Sequence, residues 1–240
     1  MKITLIRSLA LLFLVSMFTL TVNAQRVKGN GKLIEKTRQV GNFESLGVSG
    51  SFDVFLVKGK EGKIELGVEE NLEPYLITEV ENGKLKIKWK KGSNINTTKK
   101  TTVTVFFEEL SGVALAGSGD IISRDAIASD KMDVAVAGSG DIRLDLKVNS
   151  THAALSGSGD IELSGTSAEF DAAVAGSGDI EAHELQAKKA ELKISGSGTI
   201  QANVTDEIIV RISGSGDIKY KGNPRVEDIK VSGSGEVSSY

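Results

Sequence analysis

A Gly-Ser-Gly motif recurs seven times between residues 117 and 235, and this repeat constrains the fold more than any other feature of the sequence. Successive copies begin 21, 19, 19, 20, 18 and 19 residues apart. Five copies continue with Asp-Ile, one with Thr199-Ile200 and the last with Glu236-Val237. A unit this short cannot bury its own apolar face, whereas stacked units share a continuous core. The repeat therefore predicts an all-β fold, a parallel β-helix or β-solenoid with coils of about 19 residues.

The residues around each motif alternate between apolar and small or polar types. Val134 and Val136 precede the second motif with Ala135 between them, and Ile142 follows it. Alternation of this kind is typical of strands with one buried face. Each unit is therefore predicted to be a strand, a turn, a second strand and a polar connection. The connections, such as 123–131 and 203–207, should lie on one side of the stack.

The glycines of the motif are interpreted as structural turn positions. Glycine reaches positive φ without a Cβ penalty and lets neighbouring coils approach closely, while serine and aspartate hydrogen-bond to turn backbone. The positions assigned to the turns are Gly117, Gly119, Gly138, Gly140, Gly157, Gly159, Gly176, Gly178, Gly196, Gly198, Gly214, Gly216, Gly233 and Gly235.

The N-terminal part is related to the repeat but less regular. We expect a strand-rich region over 25–112 and regular solenoid repeats over 113–240, with 38–112 and the repeats forming one continuous domain. Residues 46–54 fit the repeat with Phe52 in place of the second glycine, which predicts a degenerate first coil that also caps the stack. Asn82-Gly83 predicts a two-residue hairpin. The basic run 84–100 is interpreted as a solvated strand edge and loop, with a binding role as the alternative.

The first 24 residues predict export. Lys2 and Arg7 precede an apolar run over 8–22, and small residues lead to a cleavage point after Ala24, which is the pattern of a secretory signal peptide. The alternative, a membrane anchor, needs about 20 apolar residues. No transmembrane segment is expected after cleavage. The chain has no cysteine, which excludes disulfides and thiol chemistry. Its net charge of −3 is unlike that of a nucleic-acid-binding protein.

Several motifs together are similar to a known family. The segments 43–48 (Phe-Glu-Ser-Leu-Gly-Val), 71–74 (Asn-Leu-Glu-Pro) and 83–87 (Gly-Lys-Leu-Lys-Ile), with the repeated Gly-Ser-Gly-Asp-Ile, resemble the "putative auto-transporter adhesin, head GIN domain" family. Such exported proteins are common in the Bacteroidetes. The resemblance spans about 38–240. It implies a two-part, β-helix-like domain exported to the cell envelope, and it brings no set of functional residues.

The turn aspartates form the most chemically suggestive set in the sequence. In a stack of coils they would lie in one column, and oxygen-rich columns can recruit calcium. However, the spacing differs from that of calcium-binding β-rolls, and Thr199 interrupts the column. A structural role with hydrogen bonds to turn amides is therefore favoured, and calcium binding is the alternative. The candidate residues are Asp120, Asp141, Asp160, Asp179 and Asp217.

The sequence offers no set of catalytic residues. His152 and His183 are the only histidines, and both are assigned to variable connections without triad or metal partners. The Gly-rich turns end in aspartate and precede strands, which is unlike a phosphate loop. Trp89 is interpreted as a core or sheet residue. We therefore predict a protein that is not an enzyme and has no cofactor.

These observations predict a non-catalytic, adhesin-like binding or structural protein of the cell envelope. It would present a long, flat face of small residues, suited to a surface polysaccharide or another envelope protein. The alternatives are a carbohydrate-active enzyme on a β-helix scaffold and a periplasmic scaffold or sensor accessory. Periplasm, outer-membrane surface and extracellular space all remain open as locations, as does the oligomeric state.

Overall fold

The chain was analysed as a computed structural model that describes residues 25–240. The predicted signal peptide, 1–24, lies outside the described residues. Within 25–240 no helix is long and apolar enough to cross a membrane, and the one helical element is a 3₁₀ turn at Glu73–Tyr75. The first nine strands are β1 Gln25–Lys28, β2 Leu33–Gln39, β3 Ser45–Gly50, β4 Asp53–Lys58, β5 Lys63–Glu69, β6 Leu76–Glu81, β7 Lys84–Trp89, β8 Ser93–Asn96 and β9 Thr102–Phe107.

The remaining strands belong to the repeats. They are β10 Gly112–Gly117, β11 Ile121–Ser123, β12 Ile127–Gly138, β13 Ile142–Gly157, β14 Ile161–Gly176, β15 Ile180–Gly196, β16 Thr199–Gly214, β17 Asp217–Lys221, β18 Val226–Gly233 and β19 Val237–Ser239. They pair in parallel, and the first glycine of each motif lies beside the first glycine of the next, as Gly138 does with Gly157. The prediction of an all-β solenoid with Gly-Ser-Gly turns is confirmed.

Each coil contributes two runs of extended chain to two separate parallel ladders. In β13, 142–148 follow one turn and 151–157 precede the next. We call the ladder of runs that precede the turns the A ladder, and the ladder of runs that follow them the B ladder. Val148 and Thr151 both point inward, while Asn149 and Ser150 between them do not. This shift of alternation makes the corner of the coil.

The corners stack in a single column, with Ser150 between Lys131 and Glu169. The prediction that the connections share one side is confirmed. In β12 to β16 they are tight corners inside continuous strands, however, rather than separate loops. Two repeats have a segment outside the strands at this corner, 124–126 between β11 and β12 and 222–225 between β17 and β18.

One apolar core runs between the two ladders. Its members include Ile142 and Leu144 from the B ladder and Ala153 and Leu155 from the A ladder, all at most 3% exposed. Full burial of a leucine or isoleucine contributes about 1.5–3 kcal/mol. Because every coil adds such residues to its neighbours' core, stability comes from the stacking of coils rather than from a single coil.

The N-terminal region extends the stack out of sequence order. β3 and β4 form a coil against β10 and β11, so residues 46–54 are a coil as predicted. That coil is not the cap, and this part of the prediction is wrong. β7 and β9, which come later in the chain, pair in parallel with β3 and β4 on their other side. Antiparallel strands β2, β5 and β6 complete this end.

The hairpin between β6 and β7 turns at Asn82 and Gly83, both with positive φ, 51° and 72°. This is the type I′ geometry expected for Asn-Gly, and the prediction is confirmed. The interpretation of the following lysines as a strand edge is wrong for β7, which pairs with β6 on one side and β3 on the other. Trp89 at its end packs edge-on against Phe52, with 5.7 Å between ring centroids.

Candidate functional site

The outward side of the A ladder, here called the A face, is lined by small residues in two adjacent columns. The column three residues before each turn contains, in spatial order, Gly47, Ala114, Ala135, Ala154 and Ala173. The column one residue before each turn contains Ser49, Ala116, Ala137, Ser156, Ala175, Ser195, Ser213 and Ser232. From the coil of Gly47 to that of Ala173, no side chain of the two columns extends beyond a methyl or hydroxymethyl group, so this part of the face is flat.

The middle of the A face is an open, mostly apolar groove of about 580 Å³. The small side chains let the edges of Leu115, Val136 and Leu155 contribute to its floor. Ala135 and Ala137 are exposed to solvent above them. Exposed apolar surface that stays contiguous over several strands is a feature of interaction sites.

Basic side chains stand at both ends of the small-residue column. Lys86 precedes Gly47 in the column, and Lys193, Arg211 and Lys230 follow Ala173. At about 4.8 Å per strand, Lys86 and Lys193 are separated by about 30 Å. Lys84 lies across Gly47, where a Cβ atom would collide with its side chain. The groove is therefore an apolar strip with basic ends.

These basic groups are paired with carboxylates at the surface. Lys88 Nζ lies 2.5 Å from Glu79 Oε1, and this hydrogen bond raises the pKa of Lys88. Lys193 contacts Glu191 at 2.5 Å, and Arg211 contacts Asp228 at 2.5 Å. Exposed pairs of this kind contribute about 0–1 kcal/mol, so a ligand can replace one partner at little cost.

The outward side of the B ladder, the B face, has a different character. Arg143 donates a hydrogen bond to Glu162 of the next coil at 2.8 Å, and Lys147 and Lys219 are exposed nearby along the same ladder. From β13 onward the outward side chains of the B ladder are charged or polar, whereas the apolar Phe55 and Ile122 take outward positions in its N-terminal part. Along these repeats the two faces therefore favour different partners.

Four of the five turn aspartates, all but Asp120, accept hydrogen bonds from backbone amides. Asp160 Oδ1 accepts a hydrogen bond from the Asp179 amide at 3.0 Å, and Asp179 Oδ1 accepts one from the Thr199 amide at 2.7 Å. In the same way, Asp141 Oδ1 accepts a hydrogen bond from the Asp160 amide, and Asp217 Oδ1 accepts one from the Glu236 amide. Thr199 takes the place of an aspartate in this column, and in the coil that follows it the Asp217 amide donates a hydrogen bond to the Gly198 carbonyl instead. Each of these carboxylates thus links one coil to the next.

The paired glycines of the turns are explained by close approach between coils. Gly157 has φ of 131°, and its carbonyl accepts hydrogen bonds from Ser177 and Gly178 of the next coil at 2.9 and 3.2 Å. At Gly159 a Cβ atom would overlap the carbonyl oxygen of Gly140. A Cβ atom at Gly157 would likewise overlap the Gly138 carbonyl oxygen, so the first glycine is needed for both its backbone conformation and space, and the second for space.

In the described part of the chain, no group of three histidine or acidic side chains is arranged to hold a metal ion. The assignment of His152 to a connection is wrong. It lies in a paired column of the A ladder, between Asp133 and Asp171. His183 lies at the irregularity in pairing between Ala182 and Gln186.

A buried carboxylate that sequence analysis missed lies near the N-terminus. Glu69 is 0% exposed. Burial would raise its pKa, but hydrogen bonds from the Thr98 hydroxyl and the Thr98, Gly31 and Lys99 amides outweigh this and lower the pKa to about 2. By alternation with Val68, Glu69 should point to solvent. Residues 29–31 and 98–99 fold over it, and no local sequence pattern indicates that contact.

Comparison with solved structures finds this fold in proteins from Bacteroides and Parabacteroides species. A "putative adhesin" from Bacteroides fragilis is 23% identical, with a TM-score of 0.84, covering 89% of this chain and 100% of its own. A "putative lipid binding protein" from Parabacteroides distasonis is 29% identical, with a TM-score of 0.73 and coverage of 90% and 100%. A "putative adhesin" from Parabacteroides merdae is 26% identical, with a TM-score of 0.72 and coverage of 90% and 99%.

No curated protein matches the chain in sequence. The sequence pattern of one family does match, over residues 42–224, and this segment includes the coil of β3 and β4, the out-of-order layer of β7 and β9, and the repeats as far as β17. The chain therefore belongs to the family described as "putative auto-transporter adhesin, head GIN domain".

Proposed function

We propose that this is a non-catalytic, adhesin-like protein of the cell envelope that binds its partner on the A face. The observation that carries the proposal is the exposed strip of Gly, Ala and Ser side chains that runs unbroken across neighbouring coils. Membership of an adhesin-described family supports the same function. A β-solenoid suits this work because its regular stack holds a long surface rigid.

The chemistry of the A face favours a protein partner over a polysaccharide. Methyl groups and aliphatic edges line the groove, and none of its lining residues is aromatic. Such a surface gains free energy mainly from apolar burial, at about 25 cal/mol per Å². A flat apolar surface, such as a sheet of another envelope or host-surface protein, matches it best. The basic ends would pair with acidic groups on that partner.

The test is a binding screen with face-specific variants. Immobilised exported protein is exposed to purified matrix and envelope proteins and, separately, to polysaccharides. Ala135→Glu with Ala175→Glu places charge on the A face, and Thr166→Glu is the matched change at an exposed position outside it. We expect a protein ligand whose affinity falls at least tenfold with the A-face variant and is unchanged by Thr166→Glu. Equal binding by both variants would exclude the A face.

A second candidate function is binding of a lipid acyl chain. The groove lining is largely alkyl, with lysines at one end, and a relative of 29% identity is described as a "putative lipid binding protein". A titration with a fluorescent fatty acid separates this from protein adhesion. Saturable binding that the A-face variant removes would favour the lipid function, and its absence would leave protein adhesion.

A further inference from the structure

The C-terminal end of the solenoid exposes the apolar residues of its last coil. Among residues 25–240, four of the five large hydrophobic side chains that are highly exposed lie here, Val226 at 53%, Ile229 at 39%, Val231 at 43% and Tyr240 at 63%. Ile229 and Val231 hold the inward positions that are buried in every earlier coil, for example at Val210 and Ile212. They are exposed because no coil lies on their outer side in the described chain.

The backbone at this end is also unpaired. Within the described residues, β18 pairs with β16 alone and β19 with β17 alone, so both ladders end in a row of free amide and carbonyl groups. At the opposite end, β2 pairs with β5 alone and β6 with β7 alone, so edge strands occur there too, and Leu33 of β2 is the one highly exposed large hydrophobic residue at that end among residues 25–240. An exposed edge with apolar residues is a template for pairing with another chain.

Of the registers in which β18 can pair with itself, one brings opposite charges together. In an antiparallel pair, residues that lie opposite each other point to the same side of the sheet. The apolar cores of both copies therefore stay on one side only if odd-numbered residues lie opposite odd-numbered ones and even-numbered opposite even-numbered ones. A register centred on residue 228 places Asp228 against Asp228, and one centred on 230 places Lys230 against Lys230. A register centred on Ile229 places each Asp228 opposite the other copy's Lys230. Opposite charges at such positions stabilise a pair, and like charges destabilise it.

We propose that two copies of this protein associate end to end through β18, in an antiparallel pair centred on Ile229. The Lys230 side chain is 71% exposed, and its Nζ lies 3.9 Å from Oδ1 of its own Asp228, which is too far for a hydrogen bond. Lys230 is therefore available for this contact. The interface is isologous and closes as a dimer. Each copy uses the same β18 edge in an isologous pair, so a dimer leaves no second β18 edge from which the association could extend.

This dimer would join the two A faces into one surface. A two-fold axis perpendicular to the A ladder keeps both A faces on the same side. Each small-residue strip would then point toward the other, with Lys230 and Arg211 of both copies at the centre. This inference does not depend on the proposed function, but a doubled surface would raise avidity for a repetitive partner.

The absence of native cysteine makes the register testable by a single substitution. Ile229→Cys in the full exported chain would place two thiols opposite each other, within the 4.4–6.8 Å Cα separation, roughly, that a disulfide spans. In the same register Val231→Cys would place its thiols four residues apart along the strands. We expect Ile229→Cys to form a covalent dimer under mild oxidation and Val231→Cys to remain monomeric on a non-reducing gel.

Sedimentation equilibrium supplies the non-covalent test. We expect a concentration-dependent dimer for the parent chain and at least tenfold weaker association for Lys230→Asp, which places like charges opposite each other twice. The double exchange Asp228→Lys with Lys230→Asp should restore the dimer, and circular dichroism checks the fold of each variant. A parent chain that stays monomeric at 100 µM, roughly a hundredfold above a micromolar Kd, would overturn the proposal. So would a disulfide at Val231→Cys rather than at Ile229→Cys.

Discussion

At the scale of single residues, the turn aspartates and Glu69 act on backbone that belongs to another part of the chain. Asp160 accepts a hydrogen bond from the amide of Asp179, one coil away, and Glu69 accepts from the amides of Gly31, Thr98 and Lys99. Both carboxylates satisfy donors that the strand ladders leave free. Their value therefore lies in satisfied amides rather than in charge-based binding.

The aspartate column can be tested at Asp160. Asp160→Ala removes the acceptor of the Asp179 amide at the surface, and we expect the free energy of unfolding to fall by about 0.5–1.5 kcal/mol. Asp160→Asn keeps an acceptor oxygen, and its free energy of unfolding should fall by less than about 0.5 kcal/mol. Urea unfolding followed by circular dichroism measures both. A Tm that rises on addition of calcium and falls with a chelator would contradict the structural role and support the calcium alternative.

Glu69 should make stability depend on pH at the acidic end. Its pKa is lowered from 4.5 to about 2 in the folded chain. The stability it confers is therefore complete above about pH 4.5 and is lost as the pH falls from there toward 2. Glu69→Gln should destabilise the protein by about 1–3 kcal/mol at pH 7, and this difference should shrink below pH 4.5.

The pH series is followed through the fluorescence of Trp89, the single tryptophan. Glu65→Gln is the matched control, because Glu65 lies on the same strand at the surface and pairs with Lys63. We expect that control to change stability by less than about 0.5 kcal/mol at every pH. A Glu69→Gln difference that is equal at pH 7 and pH 3 would contradict the assignment.

At the scale of elements, the turn stack requires its second glycines for space. Gly159→Ala would force a methyl group onto the Gly140 carbonyl oxygen, so we expect a loss of about 1–3 kcal/mol or more. Gly112 provides the control within the same solenoid, because a Cβ atom there would make an ordinary contact of 3.5 Å with Ser45. Thermal unfolding compares the two. Equal Tm values for both variants would show that the coils separate more easily than the turn geometry implies.

Elements whose partners repeat were predictable from sequence, and those with distant partners were not. The period of Gly-Ser-Gly predicts the order of β10 to β19, since each coil pairs with the one that precedes it. The placement of β7 and β9 beneath β3 and β4 follows from pairing between segments about 40 residues apart. The small residues of the A face lie within the repeats and were predictable from sequence, whereas Lys86 lies on β7, which joins the stack out of sequence order, and its place at the end of the A face was not.

At the scale of the whole molecule, the stack gives three distinct surfaces. Along the repeats the A face is flat and apolar and the B face is charged and polar, while the C-terminal end exposes an unpaired edge. The two faces follow from one rule, since the residue type at one position of the coil is repeated in a column along the stack. Alanine and serine one and three residues before the turn therefore become a strip rather than scattered positions.

The most direct test of the central claim is cysteine labelling on intact cells that produce the protein. Ala175→Cys reports on the A face, and Lys147→Cys reports on the B ladder, both at exposed positions. With a membrane-impermeant maleimide, we expect Lys147→Cys to be labelled on intact cells. Ala175→Cys should be labelled on cells alone but protected once the protein ligand found in the binding screen is added. Labelling of neither variant until lysis, or equal labelling of both in the presence of that ligand, would contradict an adhesin that binds through the A face.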